Sequence, residues 1–271
     1  MADKKRILEG KWGVVTGASS GIGLQFCHRL AELGCNLVMV AIEDELLVTE
    51  AMAVASAHGV TARSLTLDLT RREAPSLLLG FLDSKKIEPY ILINNAGIFA
   101  FTNVVEMDER HIDRFVDLHV RSVTMLSRLF AERMAEAGSG HILNMSSMSC
   151  WMPMPGIAMY SATKAYLRVF SRALHYEMRD SGVRVMVACP GGIATDLFGL
   201  PDNLMRLAVR LGVIQRPEVF VRKTVARMLR GRQQYINGIV NRLVIIAVGM
   251  TPTWLRMQVK RRMLDRKIRM R

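Results

Sequence analysis

No two cysteines of the chain stand at metal or redox spacing; Cys27, Cys35, Cys150 and Cys189 each stand alone. A metal or dithiol centre built on sequence-adjacent thiols is excluded, and buried filler in a reducing compartment is expected. The start, "MADKKRILEGKWGVV", lacks the apolar core and small-residue cleavage site of a secretory leader, so the reading is a cytosolic protein. The longest apolar stretch near the end, "LVIIAVGM", is too short to span a bilayer. Internal repeats and low-complexity linkers are also missing.

What is present is a chain of 271 residues, half of them hydrophobic, enough to bury one large α/β core. The net charge of +13 is uneven. Residues 256–271, "RMQVKRRMLDRKIRMR", hold eight Lys/Arg against Asp265 and supply +7 of it. Such a tail suits anionic lipid or nucleic acid phosphates, or is a solvated terminal helix.

Strand-length apolar runs alternate with helix-length amphipathic segments: "GVVTG" and a helix to about Leu33, "NLVMVA" and a helix to about His58, "ARSLTLDL" and a helix to about Asp83. The pattern continues with "YILINNAG", a long helix from about Asp108 to Ala137, "HILNMSS", a helix from Ala158 to Arg179, and "VRVMVACPGG". This predicts an α/β fold, a single doubly wound parallel sheet with helices on both faces, whose ligand crevice lies beyond the carboxyl ends of the strands. Gly17 to Gly23, Asp68, Asn94 to Gly97, Ser146 and Ser147, and Pro190 to Thr195 all fall at such ends.

"TGASSGIG" joins the first strand to the first helix. Its glycines permit a tight turn, and the helix N-terminus offers unpaired N–H groups to a pyrophosphate. The spacing G-x-x-x-G-x-G differs from the commoner G-x-G-x-x-G. The same letters contain G-x-S-x-G, which would make Ser19 an esterase nucleophile, but only eighteen residues precede it to supply earlier strands and an oxyanion loop. In "MYSATKAY", Lys164 lies one helical turn beyond Tyr160 on the same face, whereas Tyr166 is turned away from it.

With "TGASSGIG", "NNAG" at 94–97, "SS" at 146–147, "YSATK" at 160–164 and "PGGIAT" at 190–195 in that order, the chain resembles the short-chain dehydrogenase/reductase family from about Lys11 to about Arg230. The resemblance implies a Rossmann-type sheet, a nicotinamide cofactor and reversible carbonyl/alcohol hydride transfer. It implies Tyr160 as the acid and Ser147 as the hydroxyl holding the substrate oxygen. Lys164 would lower the tyrosine pKa and bind the nicotinamide ribose. Matching of positions assigns the cofactor to Gly17, Ser19, Ser20, Gly21, Ile22 and Gly23 in the glycine loop, and to Ala41, Asp68 and Leu69 at the second and third strand ends. It adds Asn95, Ala96 and Gly97, then Tyr160 and Lys164, and lastly Pro190, Gly191, Ile193 and Thr195 toward the nicotinamide. No metal is implied. Singly, each of these residues also reads as a turn former, a cap or a core side chain.

Two departures stand out. Where many members carry an asparagine on the long helix, counting places His119, a titratable group beside Lys164 and a fourth candidate catalytic residue. The second strand ends "VMVAIEDEL": Ala41 is not the NAD-type acid and Ile42 is not the NADP-type arginine, while Glu43 and Asp44 also suit a helix start. The basic body and the room left by Ala41 favour NADP(H) over NAD(H).

Phe99, Phe101, Trp151, Met152, Met154, Met159, Phe198, Leu200 and Met205 surround the inferred site in sequence. They suit a lipid-, sterol- or acyl-like substrate, or are core filler in a chain with nineteen methionines. The chain divides into a catalytic domain, 1–235, and a basic, partly apolar extension, 236–271. Apolar residues of 254–270 fall on two helical stripes, which fits packing between neighbours as well as a membrane surface; interleaved aromatics that would suit nucleic acid are lacking. The expected protein is a cytoplasmic oxidoreductase acting on a hydrophobic small molecule, a homo-oligomer by family habit, with peripheral membrane contact through the tail. The alternative is a cofactor-binding protein of the same fold with lost or repurposed catalysis.

Overall fold

The computed structural model describes residues 6–193 and 215–261. Phe198, Leu200, Met205 and Thr195 lie outside them, as does the tail beyond 261. Elements are numbered below among the described residues.

The strands are β1 (Trp12–Thr16), β2 (Asn36–Ala41), β3 (Ala62–Thr66), β4 (Pro89–Asn94), β5 (Gly140–Met145), β6 (Val183–Ala188) and β7 (Gln234–Tyr235). They form one parallel sheet in the order β3-β2-β1-β4-β5-β6-β7. The helices are α1 (Gly21–Glu32), α2 (Asp44–His58), α3 (Ala74–Ser84), α4 (Glu109–Val116), α5 (Val123–Glu136), α6 (Ala158–Glu177), α7 (Pro217–Leu229), α8 (Ile239–Gly249) and α9 (Thr253–Val259).

Successive strand residues point to opposite faces, so each inner strand feeds two cores. Val15, Leu37, Met39, Ile93 and Met186 pack under Phe26 and Leu30 of α1, Leu47 of α2 and Phe220 of α7. Val14, Val38, Leu92, Ile142 and Val185 pack under Leu78 of α3, Phe130 of α5 and Leu174 of α6. Continuous apolar runs are therefore required in the middle of the sheet, and β5 is buried at all six positions. The edge strand β3 instead mixes exposed and half-buried residues and has none fully buried.

Two features depart from the sequence expectation. The long helix after β4 is interrupted between α4 and α5 by a π-helical turn, Asp117–Ser122. The two-residue strand β7 has no sequence signature. Between β1 and β4 the order reverses, and the crevice there opens at the strands' carboxyl ends.

Candidate active site

A cavity of about 410 Å³ occupies this crevice. Gly17, Ser19, Ser20, Gly21 and Ile22 line it from the glycine loop, Ala41 from β2, and Asp68 and Leu69 from the turn after β3. Asn95, Ala96 and Gly97 follow β4, while Ser147, Tyr160 and Lys164 form the far wall with Pro190, Gly191 and Ile193. Gly23 and His119, both expected at the site, do not line it; each packs behind its wall.

The glycine loop is built for a phosphate. Gly17 has φ +63°, and a Cβ on it would stand 2.9 Å from the Ala96 Cα. A Cβ on Gly23 would lie 1.9 Å from the Gly17 carbonyl oxygen, so Gly23 serves close backbone packing rather than ligand contact. Gly21 has φ +55° and faces open space. Ser20 makes no side-chain cap and the first turn of α1 holds no acid, leaving the helix dipole without an anionic partner from the chain. A dinucleotide pyrophosphate fits this cradle. The Ser19 hydroxyl donates to Glu43 Oε2 at 2.9 Å, not to a histidine, so the nucleophile-elbow reading gains no base.

Ser147 and Tyr160 are both buried, and the Ser147 side chain acts on the Tyr160 phenol. The Ser147 Oγ also accepts from the Ser149 amide at 3.1 Å, which fixes it at the head of a tight turn, Met148–Trp151. Lys164 lies on the same face of α6; its Nζ is 5.7 Å from the Tyr160 ring centre and donates to the Met145 carbonyl at 2.9 Å. Burial lowers the lysine pKa to about 8. The sequence predicts a tyrosine lowered by the lysine cation. Instead, burial raises Tyr160 from its ordinary value, and the Ser147 side chain works against that rise. Phe99 meets the Tyr160 ring edge to face at 5.0 Å and closes its outer side.

His119 sits in the π-helical turn and is fully buried. Its Nε2 accepts the Ile98 amide at 3.0 Å, and its Nδ1 lies 3.0 Å from the Thr163 Oγ1. The Thr163 hydroxyl donates to the Tyr160 carbonyl, so its oxygen is left to accept from Nδ1–H. This assigns a neutral imidazole with both nitrogens engaged. Burial, with the Lys164 charge second, holds its pKa well below 6.5. The expectation of a titrating catalytic group beside Lys164 is corrected: His119 is a neutral strut between Ile98 and α6.

The remaining wall is positioned by turns. Asp68 accepts from the Thr70 amide at 2.9 Å and hydroxyl at 2.7 Å, so it both starts a turn and lines the cavity. Asn95 donates to the Thr16 and Gly17 carbonyls and ties β4 to the glycine loop. Asn94 donates to Asn144 Oδ1 at 2.8 Å across the sheet. The Gly191 amide donates to Asn237 Oδ1 at 2.6 Å, and Asn241 donates to the Asn237 carbonyl at 2.7 Å.

Asn237 and Asn241 carry no motif and were not legible in sequence, nor were Ile98, Arg114 and Leu118, which also line the cavity. All four cysteines are free; Cys27, Cys35 and Cys189 are buried and Cys150 is half-buried, and the Cys150 and Cys189 thiols, distant in sequence, act on each other beside Ser146. Trp151, Met152 and Met154 line a second apolar cavity of about 620 Å³ rather than the first, and Arg168 stacks 4.4 Å over Trp151.

Fold and site define a dinucleotide-dependent oxidoreductase of Rossmann architecture. The chain belongs to the short-chain dehydrogenase/reductase family: the family model described as short chain dehydrogenase matches residues 11–201. Hydroxysteroid dehydrogenase-like protein 1 of Gallus gallus is 33% identical over 69% of this chain and 56% of its own length. Its human namesake, called inactive hydroxysteroid dehydrogenase-like protein 1, is 30% identical over 81% of this chain and 66% of its own. Very-long-chain 3-oxoacyl-CoA reductase of Anas platyrhynchos is 30% identical over 84% of this chain and 72% of its own. Among solved structures, a short-chain dehydrogenase from Sphingobium yanoikuyae in complex with NADPH superposes with a TM-score of 0.75 at 28% identity, covering 88% of this chain and 92% of that one.

Proposed function

We propose that the protein interconverts a ketone and the matching secondary alcohol on a hydrophobic, lipid-, sterol- or acyl-like molecule. The observation that carries this is the buried set of Ser147, Tyr160 and, one turn along α6, Lys164, at one end of a cavity whose other wall is the open glycine loop. The nicotinamide, when bound, supplies or accepts the hydride.

In the reducing direction the Ser147 hydroxyl holds the carbonyl oxygen, and the Tyr160 phenol gives that oxygen its proton. Proton delivery suits a phenol whose pKa burial has raised; in the oxidising direction Ser147 and Lys164 must offset that burial to stabilise the phenolate. His119 holds the Ile98 amide and, through Thr163, the first turns of α6, so it orients Tyr160 without exchanging protons. The relatives' names support a lipid-like substrate, as does the Phe99 ring against Tyr160.

NADP(H) is the proposed cofactor, supported by the NADPH-bound relative and by the small Ala41 at the β2 end. Glu43, which lines the same end, favours the ribose hydroxyl of NAD(H) and is the specific observation on the other side.

Purified protein is assayed with NADPH and NADH against long-chain 3-oxoacyl thioesters, steroid ketones and small ketones. Turnover that falls by about 10² to 10⁴ in Tyr160→Phe is expected. Full activity in that variant contradicts the proton path. Tight cofactor binding without turnover on any ketone supports instead the reading of a fold kept for binding, as the name of the human relative records for that protein.

A further inference from the structure

Helix α8 turns most of its apolar bulk outward. Its inner stripe is Asn241, Ile245 and Val248, and its outer stripe is Ile239, Leu243, Ile246 and Met250. Leu243 and Ile246 are each 60% exposed and Met250 is 78% exposed, whereas the amide Asn241 is the buried residue of the helix. A helix of a soluble domain ordinarily faces its apolar stripe inward. Val240 and Val244 widen the outer patch, and Trp254, 63% exposed, extends it onto α9 with Leu255 and Met257.

The charge around this patch has one sign. From Val219 to Leu264 the chain contains no Asp or Glu and ten Lys/Arg, of which Arg242, Arg256, Lys260 and Arg261 flank α8 and α9. Two-fold pairing of two copies through this face would bring the same patch against itself, setting cations against cations with no counter-charge. An anionic lipid surface supplies both missing complements: acyl chains for the aliphatic stripe and Trp254, and headgroups for the flanking cations. Crossing the bilayer is excluded for α8, whose eleven residues extend about 16 Å. Among the described residues no helix is long and apolar enough to cross a membrane.

The inner side of α8 is what connects this face to the cavity. Asn241 packs directly on Gly191, and a Cβ on that glycine would fall 2.2 Å from the Asn241 Nδ2. We infer that the outer face of α8 and α9 is a docking surface for an anionic membrane, lying in its plane with the Pro190–Gly191 wall of the site directly behind the docking helix. The inference does not depend on the reaction proposed above, because its readout is binding.

The test uses the full chain with unilamellar vesicles of phosphatidylcholine alone and of phosphatidylcholine mixed with phosphatidylglycerol. Flotation with the anionic vesicles is expected, weakened by salt and reduced on the order of tenfold in Leu243→Glu/Ile246→Glu. A vesicle-dependent blue shift of tryptophan emission, lost in Trp254→Phe, is expected with it. Met250→Glu, at the most exposed position, provides a second variant, and unchanged thermal unfolding and dinucleotide binding in both show that they fold. Equal flotation of wild type and both folded variants overturns the inference. So does absence of vesicle binding together with a dimer that the double variant dissociates, which assigns the face to a second copy.

Discussion

His119 and Lys164 meet across Gly97: a Cβ placed on that glycine would lie 2.9 Å from the His119 Nε2 and 3.5 Å from the Lys164 Nζ. A glycine is the residue that lets both rows approach. The arrangement buries an imidazole beside an ammonium; burial first, and the Lys164 charge second, keep the imidazole neutral. What Lys164 touches is the Met145 carbonyl, so the pair is joined by field rather than by a shared hydrogen bond.

That relation gives a pH-dependent stability with a definite sign. Below its ordinary pKa of 6.5, His119 takes up a proton in the unfolded chain but refuses it in the folded one. The unfolded state then binds more protons, and stability falls as pH falls, by up to about 1.4 kcal/mol per pH unit. Urea unfolding at pH 7, 6 and 5 measures this slope, and His119→Asn is expected to flatten it. The same substitution should leave the neutral-to-alkaline limb of the pH–rate profile in place, because no charge is removed there.

Lys164 gives the same sign in an alkaline window. Its folded pKa of about 8, against 10.5 in the unfolded chain, means that the buried cation costs stability below pH 8. Between pH 8 and 10.5 the unfolded state again binds more protons, so stability rises with pH. Relative to Lys164→Met, the wild type is expected to gain about 3 kcal/mol across that window. Parallel denaturation curves for the two proteins at pH 7.5 and 10 would contradict the buried, unpaired placement of the ammonium.

The contact between Gly191 and Asn241 predicts a suppressible defect. Gly191→Ala drives a methyl into the Asn241 amide, costing about 1 to 3 kcal/mol and displacing the wall of the cavity. A raised KM for the dinucleotide is expected in the single variant. Asn241→Ala in the same chain makes room, so the double variant should recover most of the loss, and additive defects would show that the two residues do not touch.

Glu43 predicts a change in cofactor choice. The carboxylate accepts from Ser19 and lines the end of the cavity where the ribose would lie. Removing its charge in Glu43→Gln takes away repulsion toward a 2′-phosphate and should raise the NADPH-to-NADH ratio of kcat/KM by on the order of tenfold. An unchanged ratio places the ribose out of reach of Glu43.

Much of this molecule is legible along the chain because its inner strands are covered on both faces. Runs such as "NLVMVA" and "HILNM" declare that burial directly, and glycines, serines and asparagines at their carboxyl ends mark the crevice. The one-turn spacing of Tyr160 and Lys164 likewise reports a helical face, and both side chains line the cavity. Such features depend on backbone period and local order.

The rest depends on which distant segments pack together, and no local pattern encodes that. His119 is neutral because β4, the π-helical turn and α6 close around it; along the chain it reads as a titratable candidate beside Lys164, since its enclosure has no local signature. Burial raises Tyr160 and Ser147 only opposes that rise, a balance set by the enclosure of the ring. Asn237 reaches the Gly191 amide from 46 residues away, and Cys150 meets Cys189 only because β5 and β6 end side by side. For the outer face of α8, apolar composition was visible from the letters "IVNRLVIIAVG", but not its direction. The buried contacts of Asn241 with Gly191 and Asn237 fix which side of that helix faces in, and so leave Ile239, Leu243 and Ile246 facing out.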